Sequence, residues 1–144
     1  MAHKDRVGVI GVGLMGHGIA RNLQRAGHPL SFLEHPGNQP VEDLMSAGAT
    51  PRKSACEVAQ HSDIVILCVT GSPQVNAVLF ESEGALEGLQ PGATVIDCST
   101  ALPSSTAEVA RRVNEAGGRF MDTAMTRTPK EAEEGRLNLI VGAP

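Results

Sequence analysis

Residues 8–20 read GVIGVGLMGHGIA, and five of these thirteen positions are glycine. What the glycines do depends on what they join. Val7, Val9 and Ile10 make a short β-prone run ahead of Gly11, as a buried parallel strand requires. Beyond Gly16 the period changes. Met15, Ile19, Leu23 and Ala26 fall on one helical face, and Arg21, Gln24 and Arg25 on the other. Gly27 supplies a helix stop. Gly11, Gly13 and Gly16 therefore stand as G-x-G-x-x-G at a strand-to-helix junction. There Gly11 permits a tight turn, Gly13 lets backbone approach a pyrophosphate, and Gly16 lets the helix pack on the strand. The helix start offers unpaired N–H groups and a positive dipole end to phosphates. The expected cofactor loop is Gly11, Val12, Gly13, Leu14, Met15 and Gly16.

Working outward, Leu30–Leu33 reads as a second strand closed by Glu34-His35-Pro36-Gly37. The stretch 40–48 forms a short helix, 49–50 a brief third strand, and 54–60 a helix with Ser54 as N-cap and Glu57 as its capping-box partner. Residues 63–69 are the strongest strand, and their unbroken apolar run implies cover on both faces. A helix starts at 70–74 and runs through Val75, Val78 and Leu79. Then follow a strand at 93–98, a helix at 103–115 stopped by Gly117-Gly118, a strand at 119–122, a polar connection at 123–135 and a last strand at 137–141. This alternation predicts an α/β fold: a doubly wound, mostly parallel sheet with helices on both faces and its ligand at the carboxyl ends of the strands.

The totals narrow the function classes. A chain of 144 residues suits one domain with a real core. Aromatics make up 2%, with no Trp or Tyr, so stacking platforms for single-stranded nucleic acid are excluded. The net charge of −4, with Lys and Arg scattered, argues against nucleic acid or an anionic membrane as partner. No apolar run reaches transmembrane length and the N-terminus does not read as a signal peptide, so a cytoplasmic protein is expected. Cys56, Cys68 and Cys98 show no C-x-x-C spacing, which supports reduced, mostly buried thiols rather than a disulfide framework or a metal site.

Several residues could carry chemistry. Glu34 ends the second strand, where an acidic side chain accepts hydrogen bonds from the adenosine ribose; it would repel a 2′-phosphate, which favours NAD over NADP. His35, when cationic, would soften that choice. Cys68, Val69 and Thr70 lie where backbone would pass under the nicotinamide-side ribose. Ser99 and Thr100, at another strand end, carry hydroxyls that could reach a cofactor or a small acid, or cap the following helix. Asp97 reads as a structural strand-end residue rather than a general base, and His17, His28 and His61 fall on helices or turns away from Ser99.

With these residues in place, the chain resembles the β-hydroxyacid dehydrogenase family, which includes 3-hydroxyisobutyrate dehydrogenases, tartronate semialdehyde reductases and glyoxylate reductases. The resemblance runs over nearly the whole chain. The run from Ile10 to Gly16 is similar to the family's G-x-G-x-M-G cofactor loop, and 97–100 with Pro103 to its strand-end serine/threonine segment. Asp122 to Thr126, followed by Ala132, Gly135 and 137–142, is similar to the substrate-loop signature D-A-P-V-S-G-G, G-A-x-x-G-x-L and V-G-G. Three departures stand out: Thr126 replaces the serine, Arg127-Thr128 replaces Gly-Gly, and Glu131 replaces the glycine before Ala132. Thr126 keeps a hydroxyl for a carboxylate, and Arg127 adds a bidentate anion donor.

The resemblance implies a Rossmann domain over 1–144 that binds NAD(P), cut before its end, from an oxidoreductase moving hydride between nicotinamide and a small hydroxy acid or semialdehyde. Substrate would meet Ser99, Thr126 and Arg127. The family's general acid/base lysine sits in a G-x-x-x-K-x-x-N context in a further helical domain. Lys4, Lys53 and Lys130 do not match it, so no catalytic residue is expected in this chain and the chain alone is expected to be inactive. The full-length form would be a homo-oligomer acting on a small carboxylic acid. Two other readings stay open: an imine reductase-like enzyme, and a dinucleotide-sensing module without turnover.

Overall fold

The computed structural model describes residues 4–100, 102–126 and 129–142. The chain opens with β1 (Val7–Ile10), α1 (Leu14–Arg25) and β2 (Leu30–Leu33), followed by α2 (Glu42–Ser46), β3 (Thr50–Arg52), α3 (Ala55–Gln60) and β4 (Ile64–Leu67). Then come α4 (Ser72–Phe80), α5 (Ala85–Gly88), β5 (Thr94–Asp97), α6 (Pro103–Glu115), β6 (Arg119–Thr126), α7 (Pro129–Glu133) and β7 (Asn138–Gly142). They build one sheet in the order β3-β2-β1-β4-β5-β6-β7, in which β1 to β6 run parallel and β7 antiparallel to β6.

Strand alternation divides the core in two. Val7, Val9, Leu30 and Phe32 face α1 and α2, where Ala20 and Leu44 meet them. Ile10, Val65, Leu67, Val95 and Phe120 face the other way, onto Val58 of α3, Leu79 of α4 and Val113 of α6. Fully burying such aliphatic or Phe side chains is worth roughly 1.5–3 kcal/mol each, so both helical layers are held by the sheet. The expected N-cap is present: Glu57 N–H donates to Ser54 Oγ at 3.1 Å. The Glu57 carboxylate, however, accepts from Lys53 N–H at 3.3 Å instead of from Ser54, so the box is open by one residue.

The polar connection expected over 123–135 is corrected by the structure. Strand β6 runs on to Thr126 because β7 pairs with it, Asp122 opposite Gly142 through Thr126 opposite Asn138. The intervening stretch is shorter than the dozen or more residues a parallel crossover needs, so the chain returns antiparallel. Within that return, α7 lies against α1. Gly18 makes this approach possible, because a Cβ there would stand 2.6 Å from the Ala132 carbonyl carbon. Helix α5 is a further element that the sequence pattern did not mark. No described helix is long and apolar enough to cross a membrane.

Candidate functional site

Strand order reverses between β1 and β4, since β2 and β3 lie on one side of β1 while β4, β5 and β6 lie on the other. Loops leaving the carboxyl ends of β1 and β4 therefore diverge and open a crevice between them. A cavity of about 410 Å³ sits there, lined on one side by Gly11, Val12 and Gly13 and on the other by Cys68, Val69 and Thr70.

The three glycines of the loop differ in what surrounds them. Gly11 has φ +100°, and a Cβ on it would overlap the Cys68 carbonyl. A Cβ on Gly16 would overlap the Gly11 carbonyl. Gly13 is the reverse case: nothing lies within 4 Å of where its Cβ would stand. Protein packing thus explains the first and last glycine, and only an external group in the crevice would feel a side chain at the middle one. Gly13 is also the N-cap of α1, its carbonyl accepting from His17 N–H at 3.0 Å, and no side chain caps this helix. Helix-start N–H groups left without a side-chain cap beside an open crevice suit a diphosphate. On both counts the loop fits a dinucleotide. Val12 is fully buried and its carbonyl accepts from Gln39 N–H at 2.8 Å, which anchors the loop; Met15 is half-buried and Leu14 is 63% exposed.

Glu34 stands exposed just past β2, at the rim of this cavity rather than in its lining. His35 does line it, and its Nδ1 accepts from Gly37 N–H at 2.9 Å. Parallel pairing adds a residue that linear reading missed. Leu33 pairs with Arg52, and Glu34 N–H donates to the Arg52 carbonyl at 2.9 Å. Lys53 consequently shares a groove of about 330 Å³ with Glu34, together with Glu81 and Glu83. Nothing in the local sequence around Glu34 announces a lysine from the neighbouring strand.

Ser99 and Thr100 part ways. The Ser99 side chain is 8% exposed, with Oγ accepting from Val69 N–H at 2.9 Å and donating to the Leu67 carbonyl at 3.4 Å. It braces the turn that carries Val69 and Thr70. Thr100 is exposed, and its carbonyl would lie 3.6 Å from a Cβ on Gly71. Asp97 is 1% exposed; its Oδ1 accepts from Ser99 N–H at 2.8 Å, and burial, reinforced by the charge of Asp122, pushes its carboxyl up. Thr126 ends β6 at the same edge of the sheet, and Arg127 lies outside the described residues.

A larger cavity of about 610 Å³ adjoins the start of α1, bounded by Leu14, His17, Asp43, Lys130 and Glu133. His17 joins its walls, with Nε2 3.0 Å from Asp43 Oδ1 of α2. Arg21 reaches Glu133 of α7 at 3.4 Å. No spacing rule links these residues, since α7 itself was not expected.

Comparison with known proteins accords with this geometry. Residues 6–144 match the family model described as the NAD binding domain of 6-phosphogluconate dehydrogenase. The 2-hydroxy-3-oxopropionate reductase of Escherichia coli (strain K12) is 39% identical over 138 residues, covering 95% of this chain and 46% of the relative. A crystal structure of 3-hydroxyisobutyrate dehydrogenase from Salmonella typhimurium superposes with a TM-score of 0.86 at 28% identity, over 94% of this chain and 47% of that one. An imine reductase from Pseudomonas sp. superposes with a TM-score of 0.72 at 26% identity, over 90% and 44% respectively. The chain thus spans about half the length of the curated relatives it matches. The chain belongs to the family of NAD-binding domains typified by that of 6-phosphogluconate dehydrogenase, and its relatives include oxidoreductases of the β-hydroxyacid dehydrogenase family.

Proposed function

We propose that this chain is the cofactor-binding domain of an NAD-preferring dehydrogenase acting on a small hydroxy acid or semialdehyde, with a further helical domain supplying the proton-transfer lysine. The observation that carries this reading is Gly13, whose missing side chain leaves open space at an uncapped helix start. Gly11 to Gly16 would hold the diphosphate, Glu34 and His35 the adenosine ribose, and Cys68, Val69, Thr70 and Thr100 the nicotinamide side. Thr126 and Arg127 would orient the substrate carboxylate, with Ser99 keeping the Val69–Thr70 turn in place. When bound, the nicotinamide supplies or accepts the hydride; the chain's own residues bind, orient and exclude water. The acidic groove formed by Glu34, Glu81 and Glu83 supports NAD over NADP, since it opposes a 2′-phosphate, and Lys53 acts against that preference. We also propose a cytoplasmic, homo-oligomeric full-length enzyme; the three free cysteines support a reducing compartment.

Calorimetric titration with NADH and NADPH tests the reading. Saturable binding with NADH the tighter ligand is the expected result, and absence of binding by either removes it. The imine reductase reading draws on the superposition above. It is separated by turnover: the longer enzyme would reduce cyclic imines in preference to semialdehydes.

A further inference from the structure

Cys68 and Cys98 follow directly on β4 and β5, and the register that pairs Leu67 with Asp97 sets them opposite each other. The ladder continues through this point, with Cys98 N–H donating to the Leu67 carbonyl at 2.8 Å. Neighbouring strands lie about 4.8 Å apart, inside the Cα separation of roughly 4.4–6.8 Å that a disulfide spans. Both side chains belong to the cluster under α1, Cys98 within it and Cys68 packed against it. Cys56 is apart from them, on α3 across the sheet.

The two residues differ in exposure. Cys98 is 7% exposed, whereas Cys68 is half-buried and lines the cofactor cavity. Cys68 is also the residue on which the glycine loop closes: its carbonyl faces Gly11, and its Cβ lies 3.4 Å from where a Cβ on Gly16 would stand. The neighbouring Cys98 and burial push the Cys68 thiol up.

We propose that Cys68 and Cys98 form a dithiol switch under the cofactor loop, closed to a disulfide by a low-molecular-weight disulfide such as glutathione disulfide, and that closure shuts the cleft. The consequence rests on the cofactor reading above; the thiol chemistry does not. Cys68, reached through the cavity, loses its proton and attacks one sulfur of the oxidant. The oxidant's S–S bond breaks, a mixed disulfide forms on Cys68, and the first small thiol leaves with the proton. Cys98 then attacks the Cys68 sulfur and its proton goes to the second departing thiol. Two protein thiols are oxidised by two electrons while one small disulfide is reduced to two thiols. A disulfide is most often found at Cα separations of about 5.5–6 Å, wider than the ladder. Bridging therefore displaces the end of β4, where Gly11 and Gly16 leave no slack against Cys68.

The test is incubation of the reduced chain with glutathione disulfide, followed by alkylation, peptide mass mapping and fluorescence titration with NADH. We expect a Cys68–Cys98 linkage with Cys56 still alkylated. NADH affinity should fall on the order of tenfold or more and return with dithiothreitol, and saturating NADH should slow the linkage. Cys98→Ser, with Cys98→Ala as the alternative should the hydroxyl disturb folding, should trap the mixed disulfide on Cys68. Persistently free Cys68 and Cys98, linkage through Cys56 instead, or a linked chain with undiminished NADH affinity overturns the proposal. A reduced chain that binds no NADH defeats the cofactor reading and the gating with it, and the mapped linkage then reports separately on whether the dithiol closes.

Discussion

His17 Nδ1 lies 2.5 Å from Glu133 Oε1, which ties the helix that follows the glycine loop to the short helix that follows β6. The loop that would hold the cofactor and the segment leading on from Thr126 are thereby mechanically joined. Burial alone would lower the His17 pKa, but the hydrogen bonds to Glu133 and Asp43 outweigh it and hold the imidazole above its ordinary value of 6.5. A group whose folded pKa is raised contributes stability that is fully present below its unfolded pKa and lost as pH rises through the folded one. For Asp43, burial would raise the carboxyl, yet its bond to His17 brings it below 3.8, so its share is lost only in strong acid. The α1–α7 contact should therefore be firmest below about pH 6.5 and loosen as His17 deprotonates above that. His17→Ala should cost on the order of 1 kcal/mol and flatten this dependence. Hydrogen exchange of α7 amides against pH measures it, and an unchanged profile in the variant would assign α7 docking to Gly18 packing alone.

Gly13 and Gly16 should separate binding from folding. Gly13→Ala meets no atom within 4 Å, so the melting temperature should stay near that of the parent while NADH affinity falls about tenfold or more. Gly16→Ala runs into the Gly11 carbonyl and should lose about 1–3 kcal/mol of stability. Calorimetry and thermal melts on the pair decide the matter; retained NADH affinity in Gly13→Ala would remove the phosphate-cradle reading.

Cofactor choice should turn on Glu34 and Lys53 together, because strand pairing sets them in one groove. Glu34→Arg should shift preference toward NADPH, and Lys53→Ala should leave NADH binding nearly unaltered while weakening whatever NADPH binding the parent shows. Comparative titrations of both cofactors measure this. A parent that already prefers NADPH would transfer the decision to His35 and backbone donors.

The chain by itself should not turn over. Hydride transfer from an alcohol needs a base within about 3 Å of the hydroxyl, and the lysines of this sequence do not stand in the expected catalytic context. Absorbance assays with small 3-hydroxy acids should show no cofactor reduction above background. A rate that scales with chain concentration, in a preparation free of longer protein, would place a catalytic residue in this chain and overturn the expectation.

Local pattern alone sufficed for the strand, glycine loop and helix at the start of the chain. Each of those signals spans only a few residues: β-prone Val7 to Ile10, three spaced glycines, then a change to helical period. Steric and hydrogen-bond rules at that range leave little choice. The same holds for the order of strands and helices, hence for the doubly wound sheet, and for Glu34 at the end of β2. Tertiary structure decided what meets what. Lys53 stands with Glu34 because β3 pairs with β2, and Cys98 stands opposite Cys68 because β5 pairs with β4 in that register. Ser99 is committed to the Val69 N–H, and His17 to Glu133, only once distant strands and helices have packed. Helix α7 and the extension of β6 were illegible for the same reason: their stability comes from β7 and α1, not from their own short polar segments. Sequence specifies elements through interactions a few residues long, whereas a site is a set of distances between residues that only pairing and packing bring together.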